Sequence, residues 1–292
     1  MAYKNMANDQ MATASTKVAL PRSFGMAKVV FAAKGLAELY QSGCAKILLP
    51  KSYCTIPHAV IINTSGGMTG GDRFEILAEV KDGASLCVTS QTAERLYRSS
   101  GGVVKISNSV IVGDDCAFEW LPQETILFDG SALERKFEVR LGQRSSFLAS
   151  ETLVLGRAAM GETLGFATLG DQWRIWQNGE IIYGDALRFG PNIGKSFSLS
   201  GVFANHRVLS TLLYVAPDAE QRCAEARLLL EKAVGSLAGG DGGDAKVEVA
   251  VSAWNGMLLA RLIGFEAEYL RQVLIKYLQG FRGQDMPRVW HM

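Results

Sequence analysis

The residues best suited to acid–base or metal chemistry are three histidines, His58, His206 and His291, and they lie far apart in the chain. None sits in an HExxH pair, and no Cys/His cluster with zinc spacing or EF-hand loop is present. No GxSxG elbow offers a nucleophilic serine, so a catalytic triad has no sequence support. The five cysteines, Cys44, Cys54, Cys87, Cys116 and Cys223, are odd in number, scattered and without a CxxC pair, and read as buried thiols of a reducing compartment. A durable soft-ligand metal site is therefore not expected. The most glycine-dense stretch is Gly66-Gly67-Met68-Thr69-Gly70-Gly71-Asp72. No Lys-Ser/Thr pair follows it and the next residues read as a strand, which removes both phosphate-loop and dinucleotide readings. It remains either a connection whose glycines take positive φ or a point of close backbone approach with Asp72 at its rim. The run Glu119-Trp120-Leu121-Pro122-Gln123-Glu124 reads as a strand end, a Pro-directed turn and solvated acids. Trp120, Trp173 and Trp176 read as core, and Arg157 with Glu162 as an ion pair.

The elements that would position these groups are mostly strands. From Phe24 to about Val215 apolar residues recur at period two: Phe74, Ile76, Ala78 and Val80 oppose Arg73, Glu75 and Glu79, and Phe137, Val139 and Leu141 alternate with Glu138 and Arg140. Trp173 to Gln177, Asn178-Gly179 and Glu180 to Tyr183 spell a β-hairpin, because Asn-Gly supplies the positive φ of a type I′ turn. A weak repeat pairs a polar turn with a strand three times, and its first apolar anchors, Leu86, Phe118 and Phe147, are spaced by 32 and 29 residues. Such a period fits either stacked coils of a solenoid or an antiparallel sandwich with even turns.

Residues 1–21 are polar and aperiodic and read as a disordered tail, leaving 22–215 as a β-rich body. Residues 216–292 read as a helical region with one added strand. There Pro217-Asp218 opens a helix carrying Ala219, Cys223, Ala226, Leu230 and Ala233, Gly239 to Gly243 make a flexible break, and Val247, Val249, Val251 and Ala253 alternate as the strand. A second helical region follows, broken near Gly264, with Ala267, Leu270, Leu274, Tyr277, Leu278 and Phe281 on one face. The apolar faces carrying Leu230, Leu258, Leu262, Leu270, Leu274 and Tyr277 offer either a docking surface or a cap on the β-body.

Thirty basic and twenty-nine acidic residues leave a net charge of +1, which gives no electrostatic reason to expect nucleic acid or an anionic membrane. The first twenty residues lack an apolar signal core, and no stretch reaches the ~18 apolar residues of a span, so a soluble, cytoplasmic protein is expected.

Five segments in order resemble the UreD (UreH) family of urease accessory proteins: Ile62 through Asp72, Thr92-Ala93-Glu94-Arg95-Leu96-Tyr97-Arg98-Ser99, Trp120 through Gly130, Leu155 through Glu162, and Pro287-Arg288-Val289-Trp290. Ser65 and Met68 depart from the small or aliphatic residues expected there. The resemblance implies a mainly β fold, a β-helix-like (solenoid) body with C-terminal α-helices, and no enzymatic activity of its own. It implies a chaperone-like scaffold that bridges UreF and the GTPase UreG to apo-urease while the nickel centre is loaded, with UreE as nickel donor. The C-terminal helical faces would then be the place where UreF docks. No cofactor is bound tightly; nickel is in transit. With histidines and cysteines so scattered, acids in or near the family-like segments become the candidate transient ligands: Asp72 at the end of the glycine-rich motif, Glu151 just before the Leu-Gly-Arg motif, Glu162 closing the Met-Gly-Glu segment, and Asp185 after the Asn-Gly hairpin. Salt bridges of Glu162 with Arg157 and of Asp185 with Arg188 are the structural alternative. Two other functions stay open: an adaptor with no nickel path, and a glycan-cleaving enzyme using acids such as Asp72, Glu119, Glu151 and Asp185 on a β-helix scaffold.

Overall fold

The computed structural model describes residues 21–51, 54–157, 161–162, 164–197, 199–237 and 247–292. The expected disordered tail, apart from Pro21, and the expected glycine break lie outside these residues, as does part of the Leu155-to-Glu162 segment.

Strands of two facing sheets alternate along the chain. The first sheet contains β1 (Phe24–Ala32), β2 (Gly35–Gly43), β5 (Arg73–Val80), β8 (Val104–Val112), β11 (Ser131–Leu141), β13 (Ala167–Gln177) and β14 (Glu180–Phe189). The second contains β3 (Ala45–Leu48), β4 (His58–Asn63), β6 (Ser85–Ser90), β9 (Ala117–Leu121), β12 (Ser146–Leu155), β15 (Val208–Val215), β16 (Val247–Trp254) and β17 (Met257–Gly264), with short β7 (Glu94–Leu96) and β10 (Thr125–Leu127) beside them. Strands β5, β8, β11 and β13 run parallel, and so do β4, β6, β9 and β12. Each coil therefore climbs one sheet, turns, and returns through the other. This is the solenoid the repeat allowed.

The turns explain the register. Asp82, Asp115 and Arg144 hold positive φ of 57°, 56° and 52° at equivalent corners, so each coil reverses in the same way. Leu86, Phe118 and Phe147 are then direct neighbours across β6, β9 and β12. The Phe118 and Phe147 rings stack at 6.4 Å, and Phe137 packs between Trp120 at 5.2 Å and Trp173 at 5.1 Å. Trp120 and Trp173 are core, as read from the sequence, whereas Trp176 is half-buried. Among the cysteines only Cys87 and Cys116 are buried; Cys44, Cys54 and Cys223 are half-buried. The hairpin at Asn178-Gly179 forms between β13 and β14.

The other face of the second sheet is covered by α1 (Cys223–Leu237) and α2 (Ala267–Arg282), so helix is concentrated after Pro217. Two expectations are corrected here. The first helix begins at Cys223, after a turn that starts at Pro217. Residues 257–264, expected helical, form β17, paired with β15 and β16. Asn255 and Gly256, at φ 48° and 73°, make a second hairpin turn there, and the strand after it opens on the continuous apolar run Met257 to Ala260, which also suits a helix. Leu230, Leu258, Leu262, Leu270, Leu274 and Tyr277 are each at most 1% exposed, packed in one cluster within the chain. They cap the β-body and are not free to dock a partner.

Among the described residues no helix is long and apolar enough to cross a membrane.

Candidate functional site

The inward phase of β11 holds Leu133, Phe137 and Val139, and the position between them is Arg135, 4% exposed. On β13 the same phase carries Leu169, Asp171, Trp173 and Ile175. Arg135 thus meets Asp171 from the neighbouring strand, donating from Nε to Oδ1 at 2.9 Å and from Nη2 to Oδ2 at 2.6 Å. Across the interior, Glu151 of β12 closes an ion pair with Arg135 through Oε2 and accepts a hydrogen bond from Trp120 Nε1 at 2.8 Å through Oε1. Thr125 Oγ1 accepts from Arg135 Nη1 at 3.3 Å. One guanidinium faces two carboxylates in the core. Burial pushes the Glu151 carboxyl above its ordinary value, while the Arg135 charge opposes the shift. Arg135 itself is held firmly protonated, its burial outweighed by Asp171 and Glu151.

This group separates two cavities. One, of about 100 Å³, is lined by Arg135, Glu151, Asp171, Asp185, Thr211 and Arg261. The other, of about 70 Å³, is lined by Arg135, Glu151, Trp120, Gln123, Ser90 and Glu94. A third, of about 90 Å³, shares Ile61, Ser90 and Glu94 with the second and extends to Asn63, Gly66, Gly67 and Arg95 at the surface. Three hollows therefore follow one another, the first and third of mixed lining and the second mostly apolar through Met68, Phe74, Ile76 and Ile106, with Glu151 at the first junction and Glu94 at the second.

Of the four candidate acids, Glu151 and Asp185 share the first of these cavities. Asp185 accepts from Arg261 Nη2 at 2.5 Å and Tyr183 Oη at 3.2 Å; its ion-pair partner is Arg261 rather than Arg188. Asp72 is elsewhere, its two oxygens accepting from the Ser23 and Thr69 amides at 2.7 and 2.8 Å and tying β1 to the turn before β5. Glu162 is bound by Arg157, whose Nη2 and Nε donate at 3.1 and 3.2 Å, and this pairing holds its carboxyl below the ordinary value. Glu119 accepts two hydrogen bonds from Arg282 at 2.9 and 2.7 Å on the opposite face of the sheet. Among the described residues no group of three or more His, Cys, Asp or Glu is arranged to hold a metal ion.

The glycine-rich segment combines both of its readings. Gly66, Gly67 and Gly71 have positive φ of 76°, 138° and 98°. A side chain on Gly70 would lie 2.0 Å from Ser99 Oγ, so the close approach is to the next coil.

Glu94 was not singled out by sequence. It lies at the junction of the second and third cavities, with Asn63 Nδ2 donating to both oxygens at 3.2 Å, and burial pushes its carboxyl up to about 7. Folding then takes up a proton between the ordinary value of 4.5 and about 7. The Glu94 contribution favours the folded chain at low pH and is lost as pH rises through that window. Glu94→Gln is expected to raise stability by about 2 kcal/mol at pH ~8 and by almost nothing near pH ~4.5, read by urea denaturation. Equal gains at both pH values would contradict this account of Glu94.

The sequence matches the family model described as UreD urease accessory protein over residues 24–291. A protein of Xanthobacter autotrophicus named urease accessory protein UreD is 38% identical, over 97% of this chain and 95% of its own. Proteins of the same name from Rhizobium leguminosarum bv. trifolii and a Chelativorans species are 39% and 41% identical, over 91% and 87% of this chain and 93% and 87% of theirs. With almost the whole described body inside that match, this chain belongs to the UreD family of urease accessory proteins.

Proposed function

We propose that this chain is a non-enzymatic scaffold of urease maturation that bridges UreF and UreG to apo-urease and carries part of the path along which nickel, supplied by UreE, reaches the nascent centre. The observation that carries the nickel path is the buried Arg135–Glu151–Asp171 group standing between two cavities. Two carboxylates against one guanidinium leave a surplus of negative charge that burial makes costly. A proton or a passing cation relieves it. Arg135 opposes lasting occupancy, and carboxylate oxygens hold Ni²⁺ less firmly than imidazole or thiolate, so the ion is received and released.

Glu151→Gln and Asp171→Asn are expected to lower the nickel content and activity of urease matured in their presence severalfold, with assembly of the complex unchanged. The readouts are metal analysis of purified urease and size-exclusion profiles. Full activation by both variants would remove the nickel path and leave the adaptor reading. That second reading is favoured by Asp72 and Glu162, whose hydrogen bonds are those of structural residues. The glycan-cleaving alternative is disfavoured by size: the cavity holding Glu151 and Asp185 is about 100 Å³, against roughly 300–1,000 Å³ for ordinary ligand pockets.

A further inference from the structure

The loops that return each coil from the second sheet to the first stack at one end of the solenoid. Tyr97 Oη donates to Gly66 O at 3.1 Å, Ser99 N to Gly130 O at 2.9 Å, and Gly130 N to Phe166 O at 2.7 Å, so four consecutive rungs are bonded together. Their acids are turned inward: Asp72 onto backbone amides, Asp129 onto the amides of Gly165 and Phe166 at 3.0 and 2.9 Å, and Glu162 onto Arg157. Their cations are turned outward. Arg22, Arg73, Arg95, Arg98, Lys105 and Arg157 are all exposed along these rungs and strand starts, and of the outward acids there Glu134 stands beside Lys105 in register. Even the paired Arg98 and Arg157 keep 68% and 43% of their side chains in solvent. Among them lie Phe24, Tyr97 and Phe166, exposed by 48%, 39% and 56%, and the Arg157 guanidinium sits 4.3 Å over the Phe128 ring.

Exposed arginine interleaved with aromatic rings is the composition of an interface centre, not of an ordinary solvated surface. The whole chain carries only +1, so this concentration of positive charge is local. Arg95, Gly66 and Gly67 belong both to this end and to the lining of the outermost cavity. We propose that this end of the solenoid docks an acidic protein face, which on binding covers the mouth of that cavity. The inference rests on the accessory function above for its partners. The acidic face pairs with the exposed Arg73, Arg95 and Lys105, while Arg98 and Arg157, already held in place by Asp129 and Glu162, frame the surface with little side-chain freedom left to lose when the surfaces meet.

The test uses the full chain and the variant R73Q/R95Q/K105Q, which leaves Arg98 and Arg157 on their structural partners; R95Q alone is the milder control. Binding to apo-urease and to UreF with UreG is measured separately at about 0.05 M and about 0.3 M NaCl, where screening differs strongly. One of these partners should lose about tenfold or more in affinity with the triple variant, its wild-type binding should weaken with salt, and the melting temperature should not move. Equal affinities of wild type and variant for every partner overturn the docking surface and leave the accessory function standing. Absence of wild-type binding to any partner overturns both. If the variant instead loses binding only to duplex DNA or to phosphatidylserine vesicles, the surface serves a polyanion and the proposal fails.

Discussion

Arg135→Met is expected to destabilise the protein by about 3–5 kcal/mol, because it strips from Glu151 and Asp171 the cation they share in the core. The side chains of Arg135, Glu151 and Asp171 are 5%, 4% and 8% exposed, so bulk solvent does not take the place of the guanidinium. Methionine fills much of the same length, which confines the loss to charge and hydrogen bonding. The pH dependence has a definite sign. A carboxyl whose folded value lies above its unfolded one favours the folded state at low pH and weakens it as pH rises between the two. Burial already raises Glu151, and Arg135 is the first influence that lowers it. Its removal widens the window upward, so the variant should recover stability on acidification towards pH ~5. Adding Glu151→Gln and Asp171→Asn to Arg135→Met should restore most of the loss at neutral pH, since no charge is then left buried. Urea denaturation at two pH values reads both effects. A cost below about 1 kcal/mol, or no gain on acidification, would show that the group is solvated and not the closed cluster described here.

The coil was legible in the sequence because its corners and its anchors repeat. Asp82, Asp115 and Arg144 occupy equivalent turns, and Leu86, Phe118 and Phe147 were alignable before any strand pairing was known. What the pattern could not decide was solenoid against sandwich, since both use even turns; parallel pairing is a long-range property. The error at residues 257–264 has a local cause. Met257-Leu258-Leu259-Ala260 is apolar at every position, which erases the period that separates helix from strand. The Asn255-Gly256 turn before it carried the missing information, in the same form as Asn178-Gly179.

The buried charges were legible in part. Phe137, Val139 and Leu141 set the inward phase of β11, and one further step back reaches Arg135, a charge on a core face. The same extension from Trp173 reaches Asp171. Glu151 emerged only through the resemblance, because β12 is buried on both faces and shows no alternation. Glu94 carried no signal of its own; its position follows from which coil β7 joins. Asp72 and Glu162 were attractive as acids beside glycines, but a carboxylate next to a tight turn usually finds backbone amides first, as both of these do.

Arg282→Met is expected to cost about 3–5 kcal/mol and also to loosen the last ten residues of the chain. Arg282 ends α2 with its side chain 1% exposed, and it holds Glu119 of β9 by two hydrogen bonds at 2.9 and 2.7 Å. Its Nη1 also donates to Asp285 O at 3.0 Å, which starts the terminal segment across the sheet. Further along, Trp290 Nε1 donates to Thr89 Oγ1 at 3.1 Å and Gln123 Nε2 donates to Val289 O at 3.0 Å. Gln123 and Ser90, bonded to each other's backbone or side chain, line the middle cavity, so the terminal segment braces its wall. Without Arg282, Glu119 is left buried with no cation on it, held by Gln284 Nε2 donating at 3.3 Å and by the Cys87 thiol. The variant should show faster amide exchange over residues 285–291, and Glu119→Gln added to it should recover most of the stability. His58 supplies an independent reading. Its imidazole is held below the ordinary value first by burial and second by the Arg282 charge, with Glu119 opposing. Removing that charge should raise the His58 titration in Arg282→Met, as followed by NMR. An unshifted His58, with unchanged exchange at the C-terminus, would mean that Arg282 acts neither on the sheet nor on the segment it precedes.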